Sequence, residues 1–353
     1  MKSVWIKRHL PMKMKLLMRC MLAVVLCSSQ ILAQAEIEPL NNESSADVFL
    51  RESLILLRHE AYDSLFQKFD GYRAANPDDP RGYFLTADAY QTLMRDYRIR
   101  KYEKEFEHNI DMTIKLLKKQ MKGDAPPFSH FLLGAAEGYK GLHMFRLGRW
   151  FKALQGLISS INSAQRAVAL DGDFKDPLLN IALYEWAKTK ALPFVNRDKS
   201  HIIKMLEDVN ENARYVNSNA LFALQMVYFD AKNYAKARKV NDQLLAAYPH
   251  HPVVLYHRAW LFEKEKSFLE ANEIWQVLIQ QIHDAVQPSH NYLAECYLKR
   301  AQNFKEAGEK EKAKKAHAQA KIHAKKFDAK RELEGVFLSY KDIVKGIKSL
   351  KIK

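Results

Sequence analysis

The chain is poor in cysteine, which excludes a fold held together by disulfide bonds. Its 353 residues contain only three cysteines. Cys20 and Cys27 lie in an N-terminal stretch that we expect to be removed, so Cys296 alone remains in the mature chain. A single thiol cannot form an intramolecular disulfide. We therefore expect packing to stabilise this fold, with Cys296 as a small buried helix residue.

The sequence also lacks the short motifs that mark common catalytic and cofactor sites. It contains no G-x-S-x-G, H-E-x-x-H, P-loop or G-x-G-x-x-G pattern. His59 and Glu60 resemble the start of a zinc-protease motif, but Asp63 stands where the second histidine ligand would be. His250 and His251 lie in a turn, where we expect a solvated pair. We predict no catalytic residue, metal or cofactor, and hence no enzyme.

No apolar run in the N-terminal region is long enough to cross a membrane. The uninterrupted one covers residues 21–26, whereas a membrane span needs roughly 20 residues. It follows six cations with no acid among them, and residues 33–35 supply a small-x-small cleavage pattern. We predict a signal peptide over residues 1–35 and an exported, periplasmic protein. A retained membrane anchor is the alternative, and Met12 or Met14 could be the true start.

Positive charge is concentrated at the C-terminal end. The chain carries a formal net charge of +15, and between Lys299 and Lys353 cations outnumber acids by 17 to 7. These lysines form either a solvated helix face or a surface that binds anionic phospholipid headgroups. The run lacks interleaved aromatic residues, so we expect no nucleic-acid partner. The candidate residues for anionic-surface binding are Lys314, Lys315, Lys321, Lys325 and Lys326.

The clearest internal pattern is a repeat with a period of 34 residues. Five residue pairs at this interval match in character: Leu221 and Leu255, Tyr228 and Phe262, Tyr234 and Phe268, Ala237 and Ala271, and Leu244 and Leu278. The same interval relates Phe49, Ser53 and Leu56 to Tyr83, Ala87 and Tyr90. An aromatic residue near the first helix end, with alanine early in the second, is typical of tetratricopeptide repeats. The sequence resembles the tetratricopeptide-repeat family on these residues.

The resemblance implies an all-α protein, a right-handed α-solenoid of about seven helix-turn-helix pairs. We expect a mobile leader over residues 36–45, the repeat array over 46–326, and a basic capping helix or tail over 327–353. A terminal helix is predicted from Asp328 to Ile352, because such arrays need an atypical end unit.

A second resemblance covers residues 176–256. The Asp-Pro at 176–177 and the Leu-Tyr-Glu-Trp at 183–186, followed by the repeat that ends at Tyr248-Pro249, are similar to bacterial relatives of the tetratricopeptide repeat 39/Iml2 proteins.

In proteins of this kind, the first helix of each pair lines a groove that holds a peptide or a ligand. Residues just outside the packing positions would then face the groove: Phe84, Asp88, Phe145, Phe222, Met226, Phe229, Tyr256 and Trp260. The alternative is that neighbouring helices cover these side chains. The resulting prediction is a non-catalytic scaffold of the cell envelope that binds a protein or peptide partner. The alternative function is a solute-binding accessory of a transporter that holds a small apolar molecule.

Overall fold

The computed structural model describes residues 44–58, 60–191, 198–335 and 337–352. Over these residues the chain forms fifteen helices: α1 (Ser45–Arg58), α2 (Tyr62–Ala75), α3 (Pro80–Asp96), α4 (Glu103–Gln120), α5 (Pro127–Arg146), α6 (Trp150–Leu170), α7 (Leu178–Ala191), α8 (Ser200–Asn212), α9 (Asn217–Asp230), α10 (Tyr234–Ala247), α11 (Pro252–Lys264), α12 (Phe268–Asp284), α13 (His290–Glu306), α14 (Lys310–Lys326) and α15 (Tyr340–Ser349). The predicted signal peptide, most of the predicted leader, and His59 lie outside the described residues.

The predicted all-α fold is confirmed over the described ranges. No β-strand forms there, and the isolated β-bridge that is present joins Ile99 to Glu332. Consecutive helices pack on each other in chain order, as α5 does on α6, α11 on α12, and α13 on α14. This is the packing of an α-solenoid, and in the described ranges fourteen helices precede α15.

The 34-residue interval is visible in the backbone as well as in the sequence. Helices α10 and α12 begin 34 residues apart, at Tyr234 and Phe268. The turn before each contains a lysine with positive φ, Lys232 at 58° and Lys266 at 64°. Left-handed backbone is uncommon for residues other than glycine. Its recurrence at the same repeat position therefore shows that the two turns have the same conformation.

The chain divides into two compact units. As far as it is described, unit 1 comprises Asp78–Arg81 and Ile110–Ala231, and unit 2 comprises residues 44–77, Gly82–Asn109 and residues 232–352. Each unit is described separately below.

In unit 1, α5 and α6 approach each other closely because glycines face each other across their interface. A Cβ atom on Gly156 would lie 2.8 Å from the Cα of Gly141 and 2.9 Å from the carbonyl oxygen of Glu137. A Cβ on Gly134 would lie 2.9 Å from the carbonyl oxygen of Ser160. The helix cost of glycine, roughly 1 kcal/mol at each site, is offset by this close contact.

Also in unit 1, the buried carboxylate of Asp176 holds the loop between α8 and α9. Its Oδ1 accepts hydrogen bonds from the backbone N–H groups of Tyr215 (2.7 Å) and Val216 (3.0 Å), and its Oδ2 accepts one from Arg214 (2.9 Å). Burial raises the pKa of Asp176, while these hydrogen bonds act to lower it. The aspartate of the Asp-Pro pair at 176–177 therefore satisfies three backbone donors of this loop.

In unit 2, α10 to α14 pack in sequence around an apolar core. Trp275 is completely buried against Leu255, Ala259 and neighbouring apolar residues. Its indole N–H donates to Glu263 at 3.0 Å, so the ring brings no unsatisfied donor into the core. Helix α15 then packs on both α13 and α14.

The C-terminal end differs from the sequence-based prediction of a helix over Asp328–Ile352. Among the described residues of this stretch, only Tyr340–Ser349 is helical. This helix begins at a capping box, in which Ser339 and Asp342 satisfy each other's backbone N–H groups. We call residues 327–335 and 337–339, which lie between α14 and α15, the strap. The strap is not helical because its backbone and side chains bond to other parts of unit 2.

Candidate functional site

Two first helices of successive pairs, α11 and α13, present aromatic and acidic side chains side by side in unit 2. Tyr256 and Trp260 lie one turn apart on α11, with ring centroids 4.9 Å apart. The ring of Tyr292, on α13, lies 6.2 Å from that of Tyr256. The hydroxyl of Tyr256 donates to Oε1 of Glu295, one turn beyond Tyr292. We call these four residues the α11–α13 face.

An arginine from the loop between α3 and α4 lies against this face. Arg98 Nη1 is 2.6 Å from Oε2 of Glu295, and both side chains are almost fully buried. The guanidinium carbon is 3.9 Å from the ring centroid of Tyr292, the distance of a cation–π contact. Arg98 has a φ of 54°, so the backbone adopts an unfavourable conformation where this side chain meets Glu295.

The strap runs beside Arg98 in an extended conformation. The backbone N–H of Leu333 donates to the carbonyl oxygen of Arg98 at 2.8 Å, and that of Arg100 donates to the carbonyl oxygen of Arg331 at 2.9 Å. These bonds flank the bridge between Ile99 and Glu332. The pairing is the kind by which an extended peptide adds to another backbone segment.

Glu332 fixes the start of the strap to the N-terminus of α13. Its Oε2 accepts hydrogen bonds from the Ser289 hydroxyl (2.9 Å) and from the backbone N–H of Asn291 (2.7 Å). The Asn291 side chain in turn donates to the carbonyl oxygen of Leu333 at 3.1 Å. A carboxylate at a helix N-terminus satisfies otherwise unpaired N–H groups and interacts favourably with the helix dipole.

The last part of the strap places one aromatic ring on the α11–α13 face. Phe337 meets Trp260 edge-on, with ring centroids 4.5 Å apart and an interplanar angle of 65°. It also lies 5.8 Å from the Tyr256 ring and 5.9 Å from the His257 ring. Phe337 itself stays half-buried. The three α11 rings therefore form a pocket that already contains an aromatic side chain.

The residues predicted to line a groove are mostly covered. Phe84, Asp88, Phe222, Met226 and Tyr256 are buried, and Phe145, Phe229 and Trp260 are half-buried. The alternative weighed from the sequence, that other parts of the chain cover these side chains, therefore describes most of them. Phe337 is one of the residues that pack on Tyr256 and Trp260. Their role in binding a partner stays a prediction.

Sequence reasoning missed Arg98, Tyr292, Glu295 and Phe337. Helix α13 begins 38 residues after α11, so a 34-residue step from Tyr256 and Trp260 points to His290 and Ala294. The N-cap at Ser289 could have given the correct register, since its side chain accepts from the backbone N–H of Tyr292. Nothing in the sequence marks Arg98 as a site residue, and Phe337 lies in a segment that was predicted to belong to the terminal helix.

The five lysines predicted to bind an anionic surface are all exposed on α14. Lys314 makes an ion pair of 2.7 Å with Glu311 one turn earlier. The exposed side chain of Ile322 lies on the same outward side of the helix. Exposure is what such a role requires, but it is also what a solvated helix face would show.

Several buried or partly buried ionisable groups of unit 2 have shifted pKa values. Burial, and next the charge of Asp96, raise the pKa of Glu60 to about 8. The hydroxyl of Tyr97 donates to Oε2 of Glu60 at 3.3 Å. Burial lowers the pKa of His257 to about 4, so this histidine is neutral at pH 7 beside Phe337. Its neutral ring can pack against Phe337 without the cost of burying a charge.

The described residues show neither a metal-binding cluster nor a membrane-spanning helix. No group of three or more His, Cys, Asp or Glu side chains in the described ranges has an arrangement that could hold a metal ion. Among those same residues, no helix combines the length and the apolar character that crossing a bilayer requires.

Comparison with solved structures finds similarity to a repeat protein. No family model matches the chain, and no curated protein matches it. The chain is similar to the solved C-terminal part of a TPR repeat-containing protein from Cytophaga hutchinsonii, with 18% sequence identity over 77% of this chain and 93% of that one. The TM-score is 0.39, which is too low to support an argument about function. The assignment of an all-α fold therefore depends on the helices described above.

Proposed function

We propose that this protein is a non-catalytic binding protein of the cell envelope, and that its α11–α13 face binds an extended segment of a protein or peptide partner. The observation that supports the proposal is the position of Phe337. A non-helical segment of the chain lies on this face and places one aromatic ring in the pocket of Tyr256, His257 and Trp260. The face thus has the chemistry to hold a peptide.

The energetic features of the face favour this kind of ligand. Aromatic pairs contribute about 0.5–1.5 kcal/mol beyond the apolar area that they bury, and tryptophan and tyrosine are common among residues that dominate binding energy. Main-chain pairing adds affinity without sequence specificity, and pockets for side chains add specificity. The strap uses both modes, at Leu333 and at Phe337.

We infer that a partner reaches the face when the last part of the strap moves away. Glu332 and Leu333 are buried and hydrogen-bonded, so the start of the strap is firmly attached. Glu334 is exposed and Phe337 is half-buried. Local opening of a segment with few buried contacts costs much less than unfolding the unit. A partner with its own aromatic side chain can therefore compete with Phe337 while the rest of the strap stays in place.

The experiment compares capture of a partner from envelope extract by the full chain and three variants. Phe337→Ala empties the pocket and should increase recovery of the partner. Adding Trp260→Ala to that variant removes a pocket wall and should reduce recovery below the wild-type level. Phe327→Ala is the matched control, since this strap phenylalanine packs on Tyr340 with ring centroids 4.3 Å apart. Equal recovery by all four proteins would contradict the proposal.

A second proposal concerns the lysines of α14, which we propose bind anionic phospholipid headgroups. The proposal is supported by the exposure of five side chains, Lys314, Lys315, Lys321, Lys325 and Lys326. Each well-placed cation contributes about 1 kcal/mol to binding an anionic membrane. Replacing all five by glutamine leaves the strap intact and should weaken binding to anionic vesicles at low salt. Unchanged binding would contradict this role.

A further inference from the structure

Helix α6 of unit 1 carries an exposed apolar stripe, which we call the α6 ridge. Phe151, Leu154 and Ile158 are 77%, 45% and 51% exposed. Their spacing of three and then four residues places them along one side of the helix. Single exposed apolar residues are ordinary on protein surfaces, whereas a contiguous stripe indicates an interaction site.

The ridge is separate from the packing surface of the same helix. Ala153, Leu157 and Ile161 are buried, and Gly156 forms the close contact with α5 described above. The residues that hold α6 in the fold are therefore not those of the ridge. A contiguous apolar stripe that the packing of the helix does not use is typical of a binding surface.

The surroundings of the ridge are cationic. From residue 139 to residue 170 the sequence contains no Asp or Glu, while it contains five Lys or Arg. Three of these cations, Arg149, Lys152 and Arg166, are exposed. Glu137, just before this stretch, has a nearly buried carboxylate that pairs with Lys118 at 3.0 Å and accepts a hydrogen bond from Ser159. The stretch that carries the ridge, residues 139–170, therefore has a net positive charge in the sequence.

We propose that the α6 ridge binds the surface of an anionic phospholipid bilayer. Phe151, Leu154 and Ile158 would insert at the level of the headgroups, while Arg149 and Lys152 contact lipid phosphates. Apolar side chains flanked by Lys and Arg are what interfacial helices use, and each cation near an anionic membrane contributes about 1 kcal/mol. A second copy of the chain fits less well, because it would bring a second acid-free, cationic surface against the first. This site lies in unit 1 and is independent of the α11–α13 face.

The test measures flotation of the full chain with large unilamellar vesicles of equal parts phosphatidylglycerol and phosphatidylcholine. The ridge variant is Phe151→Ser with Leu154→Ser and Ile158→Ser. A matched control removes the same number of exposed apolar residues elsewhere, through Leu269→Ser, Val277→Ser and Val286→Ser. We expect the wild-type chain and the control to bind, and the ridge variant to bind at least about tenfold more weakly, since each side chain contributes on the order of 1 kcal/mol or more when buried.

Four results would overturn the inference. The first is a wild-type protein that does not float with these vesicles, and the second is a ridge variant that binds as well as wild type. The third is a control that loses as much binding as the ridge variant, which would mean that surface hydrophobicity in general is responsible. The fourth is a dimer of the wild-type chain in light scattering that the ridge variant lacks, in which case a second copy occupies the ridge. The five-lysine variant of α14 distinguishes the two membrane proposals. If that variant loses vesicle binding while the ridge variant keeps it, α14 is the membrane-binding site and the ridge is not.

Discussion

Arg98 and Glu295 form a buried ion pair across 197 residues of sequence, with Nη1 and Oε2 2.6 Å apart. Within unit 2 the pair joins the loop after α3 to the middle of α13. The remaining oxygen of Glu295 accepts from the Tyr256 hydroxyl, and the guanidinium stacks over the Tyr292 ring. Each charged group is thus compensated, which is the condition under which a buried pair is tolerated.

The first prediction concerns this pair. Arg98→Ala leaves the carboxylate of Glu295 buried without its counter-ion, and loss of one partner from a buried pair typically costs about 3–5 kcal/mol. Urea denaturation should show that fall in the free energy of unfolding. Arg98→Met together with Glu295→Gln removes both charges and should recover much of the loss.

The exposed pair of Lys312 and Glu309 is the control for that experiment. Lys312→Ala should change the free energy of unfolding by less than about 1 kcal/mol, because exposed pairs contribute little. Equal effects of Arg98→Ala and Lys312→Ala would show that burial does not make the Arg98 pair special.

The sequence predicted most helix positions because local signals agree with one another. Pro80, Pro127 and Pro252 each stand in the first turn of a helix, where proline is favoured. The 34-residue period placed α10 and α12 correctly. Apolar periodicity reports only which side of a helix is buried, and for these helices that was sufficient.

The candidate site could not be predicted in the same way. Tyr256 and Trp260 were predicted to face a groove, but periodicity does not show that a distant segment packs on them. The strap is non-helical because Leu333 and Glu332 bond to Arg98 and Asn291, which are 235 and 41 residues away in the sequence. These long-range bonds override a local pattern that favoured a helix. Long-range pairing of this kind has no signature in a single sequence.

The second prediction is a pH dependence caused by Glu60. Its pKa is about 8 in the folded chain, against an ordinary value of 4.5. Between these values the folded state keeps a proton that the unfolded state has lost, so folding takes up a proton and the free energy of unfolding falls as pH rises. The contribution is fully present below about pH 4.5 and is lost as pH rises through about 8.

Glu60→Gln should remove this dependence, because the amide resembles the protonated carboxyl. In urea denaturation at several pH values, the free energy of unfolding should fall less steeply with rising pH for Glu60→Gln than for wild type. The expected difference in slope is about 1 kcal/mol or less per pH unit, since the side chain is partly solvated. Glu52→Gln, at an exposed acid on α1, is the control and should leave the slope unchanged. Parallel slopes for wild type and Glu60→Gln would refute the assignment.

The third prediction contrasts two helical glycines. Gly156→Ala places a methyl group against the backbone of α5, with a Cβ 2.8 Å from the Gly141 Cα, so the helices must separate and the free energy of unfolding should fall by about 1–3 kcal/mol. Gly71→Ala adds a methyl group where nothing lies within 4 Å, and it should stabilise α2 by about 0.5–1 kcal/mol. Circular dichroism during thermal unfolding measures both. Stabilisation by Gly156→Ala would mean that α5 and α6 are not in close contact.

The fourth prediction tests whether Asp176 organises the loop after α8. Its carboxylate oxygens accept three backbone N–H groups, and a buried donor left without a partner costs about 1–3 kcal/mol. Asp176→Ala should therefore lower the free energy of unfolding by several kcal/mol. The free energy of unfolding of Asp176→Asn should lie between those of wild type and Asp176→Ala, because its amide oxygen can still accept while its NH2 group faces a backbone donor.

Hydrogen exchange at the amides of Tyr215 and Val216 locates the effect, since both should lose protection in the alanine variant, whereas amides of α6 should not. If protection at these two amides were unchanged while stability fell, the aspartate would act through something other than these hydrogen bonds.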